Sequence, residues 1–364
     1  MDITDLLVFT QKNNASDLHL STGSPPILRI HGEIIPYKSS PLTADDVRQM
    51  LSLIMTEQQR AEYERDLDLD FAISFRESIR FRVSAFHTLN GPAAVLRLIP
   101  ERIPSFEELG APEVIKKLCR LHKGLVLLAG PAGSGKSTLM AAMVDYINNH
   151  EAKHIITIED PVEFVHRSQQ SLINQREVGR STRSFAAALR SAVREDPDVI
   201  MVGEMRDIET IQLALTAAET GHLVFSTLHT DSAPRTIDRI IDVFPAHDKE
   251  MARAMLAASL EAVITQTLLK RKSKGRVAAH EVMLGTPAAR NLIREGKMPQ
   301  LYSLIQTGAR LGMRTMKDSV QELVRQDVIS EQTARAELIT GATDEDADVL
   351  QDASRRSVQG SQQF

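Results

Sequence analysis

Apolar positions change their period several times along the first hundred residues. Ile3, Leu6, Leu7 and Thr10 recur at helical spacing and predict a helix over residues 1–15. Residues 16–20 alternate, and 27–34 continue in extended style behind Pro25-Pro26. Leu67, Leu69, Phe71, Ile73 and Phe75 alternate with Asp68, Asp70, Ala72 and Ser74, which marks a half-buried strand. Ile79, Phe81, Val83 and Ala85 repeat the pattern, with Arg80 and Arg82 on the opposite face. Asn90-Gly91 then predicts a hairpin turn into 94–99, a strand carrying Arg97. Residues 1–100 therefore read as a small α+β domain on an antiparallel sheet whose polar face is rich in arginine.

Residues 100–112, with three prolines and a glycine, read as irregular, and 101–112 as the linker between two domains. Beyond it lies a second domain, 113–340, with a different pattern. Short apolar runs at 125–129, 154–158, 199–202 and 223–227 alternate with helical segments, the plan of a parallel sheet in an α/β domain. Each run ends at something polar and reactive, where open α/β sheets place their ligands. Residues 251–269 read as one long helix with methionines and leucines in its core face, and 286–295, 316–325 and 330–338 as further helices of a helical end. The acidic, then Ser/Gln-rich stretch 341–364 has no period and reads as a disordered tail.

The first apolar run of the second domain leads into Gly130, Pro131, Ala132, Gly133, Ser134, Gly135, Lys136, Ser137 and Thr138. Gly130 and Gly135, with four residues between them, followed by Lys-Ser and an Ala/Met-rich helical segment, make a P-loop. The glycines let backbone N–H groups turn inward around phosphate, and the helix opening behind them adds its partial positive end. Lys136 is placed for the β/γ-phosphates of ATP and the Ser137 hydroxyl for Mg²⁺.

Acids close the next two strands. Glu159, Asp160 and Glu163 follow the first, and Glu204 follows the second beyond Gly203, a Walker B-like element. A carboxylate there can hold Mg²⁺ or orient the attacking water. Glu204 is the expected base and a metal-side acid; Glu163 supports metal or water from the opposite side. His222 enters the 223–227 strand and His229 leaves it, which sets His229 near the γ-phosphate if that strand neighbours the P-loop strand. Phosphoryl transfer also gains from positive charge against the equatorial oxygens, and Arg80, Arg82, Arg97, Arg190 and Arg194 are the candidates. Arginines on a separate domain make most sense in a ring.

Composition narrows the class. A formal net charge of −5, no tryptophan and 4% aromatic residues disfavour a nucleic-acid motor with stacking platforms. The single cysteine, Cys119, excludes a disulfide framework and a multi-cysteine zinc site. With neither an 18-residue apolar run nor a basic-then-apolar start, a cytoplasmic protein is expected.

Taken together, GPAGSGKST at 130–138, ITIEDPVEF at 156–164, VIMVGEMRD at 199–207 and GHLVFSTLHT at 221–230 resemble the Walker A, Asp box, Walker B and His box of the secretion-type ATPases. These are hexameric RecA-like motors of type II secretion, type IV secretion and type IV pili. The start ASDLHLSTGSPPILRIHGEI resembles their PAS-like domain, and AARNLIREGK at 288–297 resembles a carboxy-terminal motif of the pilus retraction branch. The resemblance implies an N-terminal PAS-like domain and a RecA-like ATPase domain with a helical end. It further implies a homo-hexamer that hydrolyses ATP at the cytoplasmic face of the inner membrane against a pilus platform protein, driving retraction and twitching motility. It supports Glu204 as base, Glu163 in the Asp box, His222 and His229 near nucleotide, and arginines such as Arg82 and Arg97 reaching nucleotide across a boundary. Ala132 and Ala289 depart from the usual threonine and isoleucine. The alternatives are an accessory retraction paralogue, which could also be a partner, and an assembly or type II secretion ATPase. The latter usually carries a longer start and a four-cysteine insertion that this chain lacks.

Overall fold

The computed structural model describes residues 2–340 except 14, 31, 76–78, 100 and 101. The expected tail at 341–364 and the first linker positions, Pro100 and Glu101, lie outside the described residues. Two compact units account for the described residues: those within 1–103 together with 159–166, and those within 104–158 together with 167–340.

The first unit opens with α1 (Ile3–Lys12), which buries the predicted face, Ile3, Leu6, Leu7 and Thr10. β1 (Asp17–Ser21), β2 (Ile27–Ile30) and β3 (Glu33–Pro36) follow. Next come two helices beyond those expected above, α2 (Ala44–Ile54) and α3 (Glu57–Asp66). Their signal is at the ends: Thr43 with Asp46, and Thr56 with Gln59, form reciprocal capping boxes that satisfy the first-turn N–H groups. β4 (Asp68–Phe75), β5 (Ile79–Thr88) and β6 (Gly91–Ile99) complete a sheet of order β3-β2-β1-β6-β5-β4, with every neighbouring pair antiparallel. Its apolar face, with Leu18, Leu20, Phe81, Val83 and Leu96, packs with α1 and α2 residues into one core.

The linker stretch is not irregular throughout. Ser105 caps the one-turn helix α4 (Phe106–Leu109), Gly110 ends it in a left-handed conformation, and α5 (Glu113–Leu118) follows. The second unit then runs β7 (Gly124–Ala129), α6 (Lys136–His150), β8 (His154–Glu159), β9 (Leu172–Glu177), α7 (Phe185–Ala192), β10 (Val199–Val202), α8 (Ile208–Glu219), β11 (Leu223–Leu228), α9 (Ala233–Asp242) and α10 (Lys249–Ser259). After these come β12 (Leu260–Lys270), β13 (Arg276–Leu284), α11 (Pro287–Arg294), α12 (Pro299–Thr307), α13 (Met316–Arg325) and α14 (Glu331–Thr340). The seven strands stand in the order β13-β12-β7-β11-β10-β8-β9. From β12 through β8 the pairs are parallel, and β13 returns antiparallel to β12.

One sequence expectation is overturned. Residues 251–269 are not a single helix: α10 stops at Ser259 and β12 begins at the next residue. β12 is an interior strand of the sheet, and most positions on both its faces are buried. An apolar run without alternation then looks the same for a covered strand as for a core helix. The end of the chain is accordingly a strand pair followed by helices.

His280 on β13 is 2% exposed. Burial, and then the charge of Arg314, push its imidazole down to about 4 from 6.5. The unfolded chain takes up this proton below 6.5, the folded protein only near 4. The contribution is therefore intact at neutral pH and is lost as pH falls through that window, by up to about 1.4 kcal/mol per pH unit. Burial shifts neighbouring Glu281 upward, which slopes stability the other way. Urea unfolding of the wild type and His280→Gln at steps between pH 6.5 and 4 isolates the histidine: a flatter slope is expected for the variant, and equal slopes would refute the assignment.

Candidate functional site

β7 is buried at all six positions and delivers the chain into the Gly130 turn. α6 begins at Lys136 behind Gly135, which is left-handed (φ 87°) and offers no side-chain cap. The first-turn N–H groups of α6 are thus left for an anion. Close approach also demands the glycines. A Cβ on Gly130 would stand 2.3 Å from the Gln266 carbonyl oxygen, and one on Gly135 would stand 2.8 Å from the Gln266 side-chain nitrogen.

Lys136 is 6% exposed. Its ammonium donates to the Gly130 and Pro131 carbonyls at 2.7 and 2.9 Å and lies 3.4 Å from His229 Nδ1. On the far side of the ring, His229 Nε2 is 3.2 Å from Glu204 Oε1, and Glu204 Oε2 pairs with Arg206 at 2.7 Å. An ammonium can only donate. Nδ1 therefore accepts, and the network assigns the ring hydrogen to Nε2, facing the carboxylate. Lys136, His229 and Glu204 form one row because β11 lies between β7 and β10: the residue leaving β11 falls between the loop of one neighbour and the acid of the other.

Glu204 sits on a clamped backbone. Gly203 N–H donates to the Ile158 carbonyl at 2.8 Å, the Thr227 hydroxyl donates to the Gly203 carbonyl at 2.6 Å, and Met205 N–H donates to the Thr227 carbonyl at 3.3 Å. Thr227 is not among the residues expected from the sequence, although its place near the end of β11, two residues before His229, is the available signal. Gln266 is hidden as well, because the 251–269 run reads as helix in sequence while the residue lies on β12.

Other expected residues fall elsewhere. His222 stands at the opposite, amino-terminal end of β11, where its Nδ1 meets the Ala217 carbonyl at 3.0 Å and its own carbonyl accepts the Gly124 N–H. Within a subunit it is not part of the Lys136 row, since the six residues of β11 separate the two histidines. Glu163 belongs to the 159–166 segment that groups with the first unit, and its N–H donates to Glu159 Oε2 at 3.3 Å. Arg82 and Arg97 face each other across β5 and β6, and Arg97 in turn faces Asp17 on β1. Burial raises the Asp17 carboxyl, but the Arg97 and Ser16 hydrogen bonds bring it below its ordinary value overall. Arg97 keeps 68% of its side chain exposed while it bonds Asp17 at 2.8 Å, and Arg82 lies 3.6 Å from Asp70. Arg190 is paired with Glu209 at 2.7 Å, and Arg194 donates to the Arg190 carbonyl.

No cluster of three or more His, Cys, Asp or Glu side chains able to hold a metal occurs among the described residues. A Mg²⁺ at a P-loop needs none, since one hydroxyl or carboxylate supplements the phosphates and water. Ser137, next to Lys136 in the first turn of α6, and Glu204 are the donors of that kind. Such a site suits a nucleoside triphosphate.

The model of the family described as Type II/IV secretion system protein matches residues 2–355. The type IV pilus retraction ATPase PilT of Pseudomonas aeruginosa is 56% identical over 335 residues, 92% of this chain and 97% of that protein. A twitching motility protein of Neisseria gonorrhoeae is 55% identical over 311 residues, 85% of this chain and 83% of that one. The crystal structure of the pilus retraction motor PilT with bound ADP superposes with a TM-score of 0.86 at 45% identity, covering 94% of this chain and 98% of that one. The P-loop, the acid-ended strands and the order of the sheet thus have one explanation: the chain belongs to the type II/IV secretion system protein family, with the N-terminal domain and RecA-like ATPase domain of its solved relatives.

Proposed function

We propose that the protein is a Mg²⁺-dependent ATPase that works as a homo-hexameric ring and powers type IV pilus retraction, and so twitching motility, from the cytoplasmic side of the inner membrane. The observation that carries the reading is the Lys136–His229–Glu204 row at the mouth of the P-loop. Likeness to PilT over nearly the whole chain supports the direction of the work. No helix among the described residues is long and apolar enough to cross a membrane, so the reading attaches the motor through a platform protein.

In this reading the triphosphate takes the Lys136 ammonium from its loop carbonyls and lies against the N-terminus of α6. Glu204 accepts a proton from the water whose oxygen attacks the γ-phosphorus, and the bond to the bridging oxygen breaks with its electron pair leaving on ADP. His229, holding Glu204 by Nε2–H, keeps the carboxylate aimed. Mg²⁺, held by Ser137 and Glu204, would neutralise phosphate charge. Glu163 supports that side, and Arg82 and Arg97 supply positive charge to the nucleotide of a neighbouring subunit.

Two substitutions separate binding from chemistry. Lys136→Ala should lose ATP binding and turnover together. Glu204→Gln should still bind nucleotide while kcat falls at least ~10²-fold; full activity in Glu204→Gln would remove it as the base.

A mixing experiment addresses the arginines. Arg97→Ala alone should lower kcat by about 10³-fold. Mixing it with Lys136→Ala should recover activity, because some sites then combine an intact loop with an intact arginine from the next subunit. Absence of recovery would assign Arg97 to its own subunit's nucleotide, and an unchanged rate in Arg97→Ala would exclude it from the site.

A further inference from the structure

β12 pairs directly with the P-loop strand β7, on the side away from β11. Gln266 on it is 5% exposed and lies against the loop at three points. Its main-chain oxygen closes the space beside Gly130, and its amide nitrogen closes the space beside Gly135. That nitrogen also donates to the Ser134 carbonyl at 2.6 Å. The amide oxygen points the other way, 3.0 Å from Nε2 of His280, the residue facing Gln266 in the β12–β13 register. Ser134 O can only accept, so the amide nitrogen must face it and the amide oxygen must face the histidine. His280 is uncharged at neutral pH and supplies the Nε2–H that this orientation requires. Its own backbone N–H is anchored on the Ser319 hydroxyl at 2.9 Å.

Peptide planarity gives this contact a consequence for the loop. In a trans peptide the C=O and the following N–H point in opposite directions. Fixing the Ser134 carbonyl on Gln266 therefore fixes the Gly135 N–H away from β12. We infer that Gln266, oriented by His280, is a positioning residue for the phosphate cradle: it selects the peptide orientation in which Gly135 N–H faces bound phosphate. This inference rests on the nucleotide-binding reading of the P-loop and goes beyond it by assigning the loop's preorganisation to a pair of buried polar side chains on β12 and β13. Neither residue touches the nucleotide in this scheme. Turning the Ser134–Gly135 peptide over would cost the cradle one donor and set a carbonyl oxygen against phosphate.

The test uses the full-length protein and equilibrium titration with a fluorescent ADP analogue, alongside steady-state ATPase kinetics and thermal unfolding without nucleotide. Gln266→Met keeps the length of the side chain and removes the donor. It should raise the ADP Kd and the ATP KM by about tenfold, the worth of one hydrogen bond, with the loss falling on KM more than on kcat. Gln266→Glu keeps the shape but sets an oxygen against the Ser134 carbonyl, so it should bind more weakly still. His280→Phe removes the donor that orients the amide and should reproduce part of the Gln266→Met effect, whereas His280→Gln, which retains a donor, should bind more tightly than His280→Phe. Unchanged Kd in both Gln266 variants would overturn the inference, as would a fall in thermal stability with no change in Kd for the folded fraction. If Gln266→Met does not fold, the contrast between His280→Phe and His280→Gln decides, and equal affinities overturn it. Failure of the wild type to bind the ADP analogue would instead defeat the nucleotide reading itself.

Discussion

The site depends on which strands flank β7. β11 on one side carries His229 out of the sheet between Lys136 and Glu204, and β12 on the other brings Gln266 beneath the loop. Parallel pairing fixes this placement, because it sets the carboxyl ends of β7, β11, β10 and β8 along one edge. Interleaving β11 between the P-loop strand and the Walker B-like strand puts a histidine between an ammonium and a carboxylate that lie far apart in sequence.

Electrostatics gives the row its character. A lysine buried as deeply as Lys136 needs partners for its charge, and the Gly130 and Pro131 carbonyls with His229 provide them. The cation leaves His229 no choice but to accept at Nδ1, and the ring hydrogen then lies against Glu204. Thr227 adds the backbone half by holding Gly203 and Met205 on either side of the acid. The carboxylate is positioned through both its side chain and its flanking peptides, as a group that must aim one oxygen at water requires.

The first unit distributes charge differently. Arg29, Asp17, Arg97 and Arg82 occupy successive strands in register, so a buried carboxylate stands between two of three arginines. Asp17 holds Arg97 by one nitrogen while most of that side chain remains exposed, which leaves guanidinium surface for an anionic group.

Local sequence by itself determined the P-loop, the four buried strands at 125–129, 154–158, 199–202 and 223–227, and the acids and histidine that end them. These follow from short-range rules: glycine spacing, apolar runs and the residue at a strand's end. The first unit's alternating strands were legible for the same reason, since one face is buried and the other is not. Helix α2 was legible in its capping box and in Val47, Met50, Leu51 and Ile54 at helical spacing, whereas α3, with only Tyr63 buried, was legible in its capping box alone. Only the tertiary structure decided that β12 is a strand, because a run buried on both faces carries no period to read. The sequence sets His222 and His229 at opposite ends of β11, but only the strand order decided that the second meets Lys136 while the first bonds the Ala217 carbonyl. Strand order and direction, which are long-range properties set by how buried faces pack, separate a residue at the ligand edge from one at the far edge. The same physics hid Gln266, whose role depends on a neighbour 132 residues away in sequence.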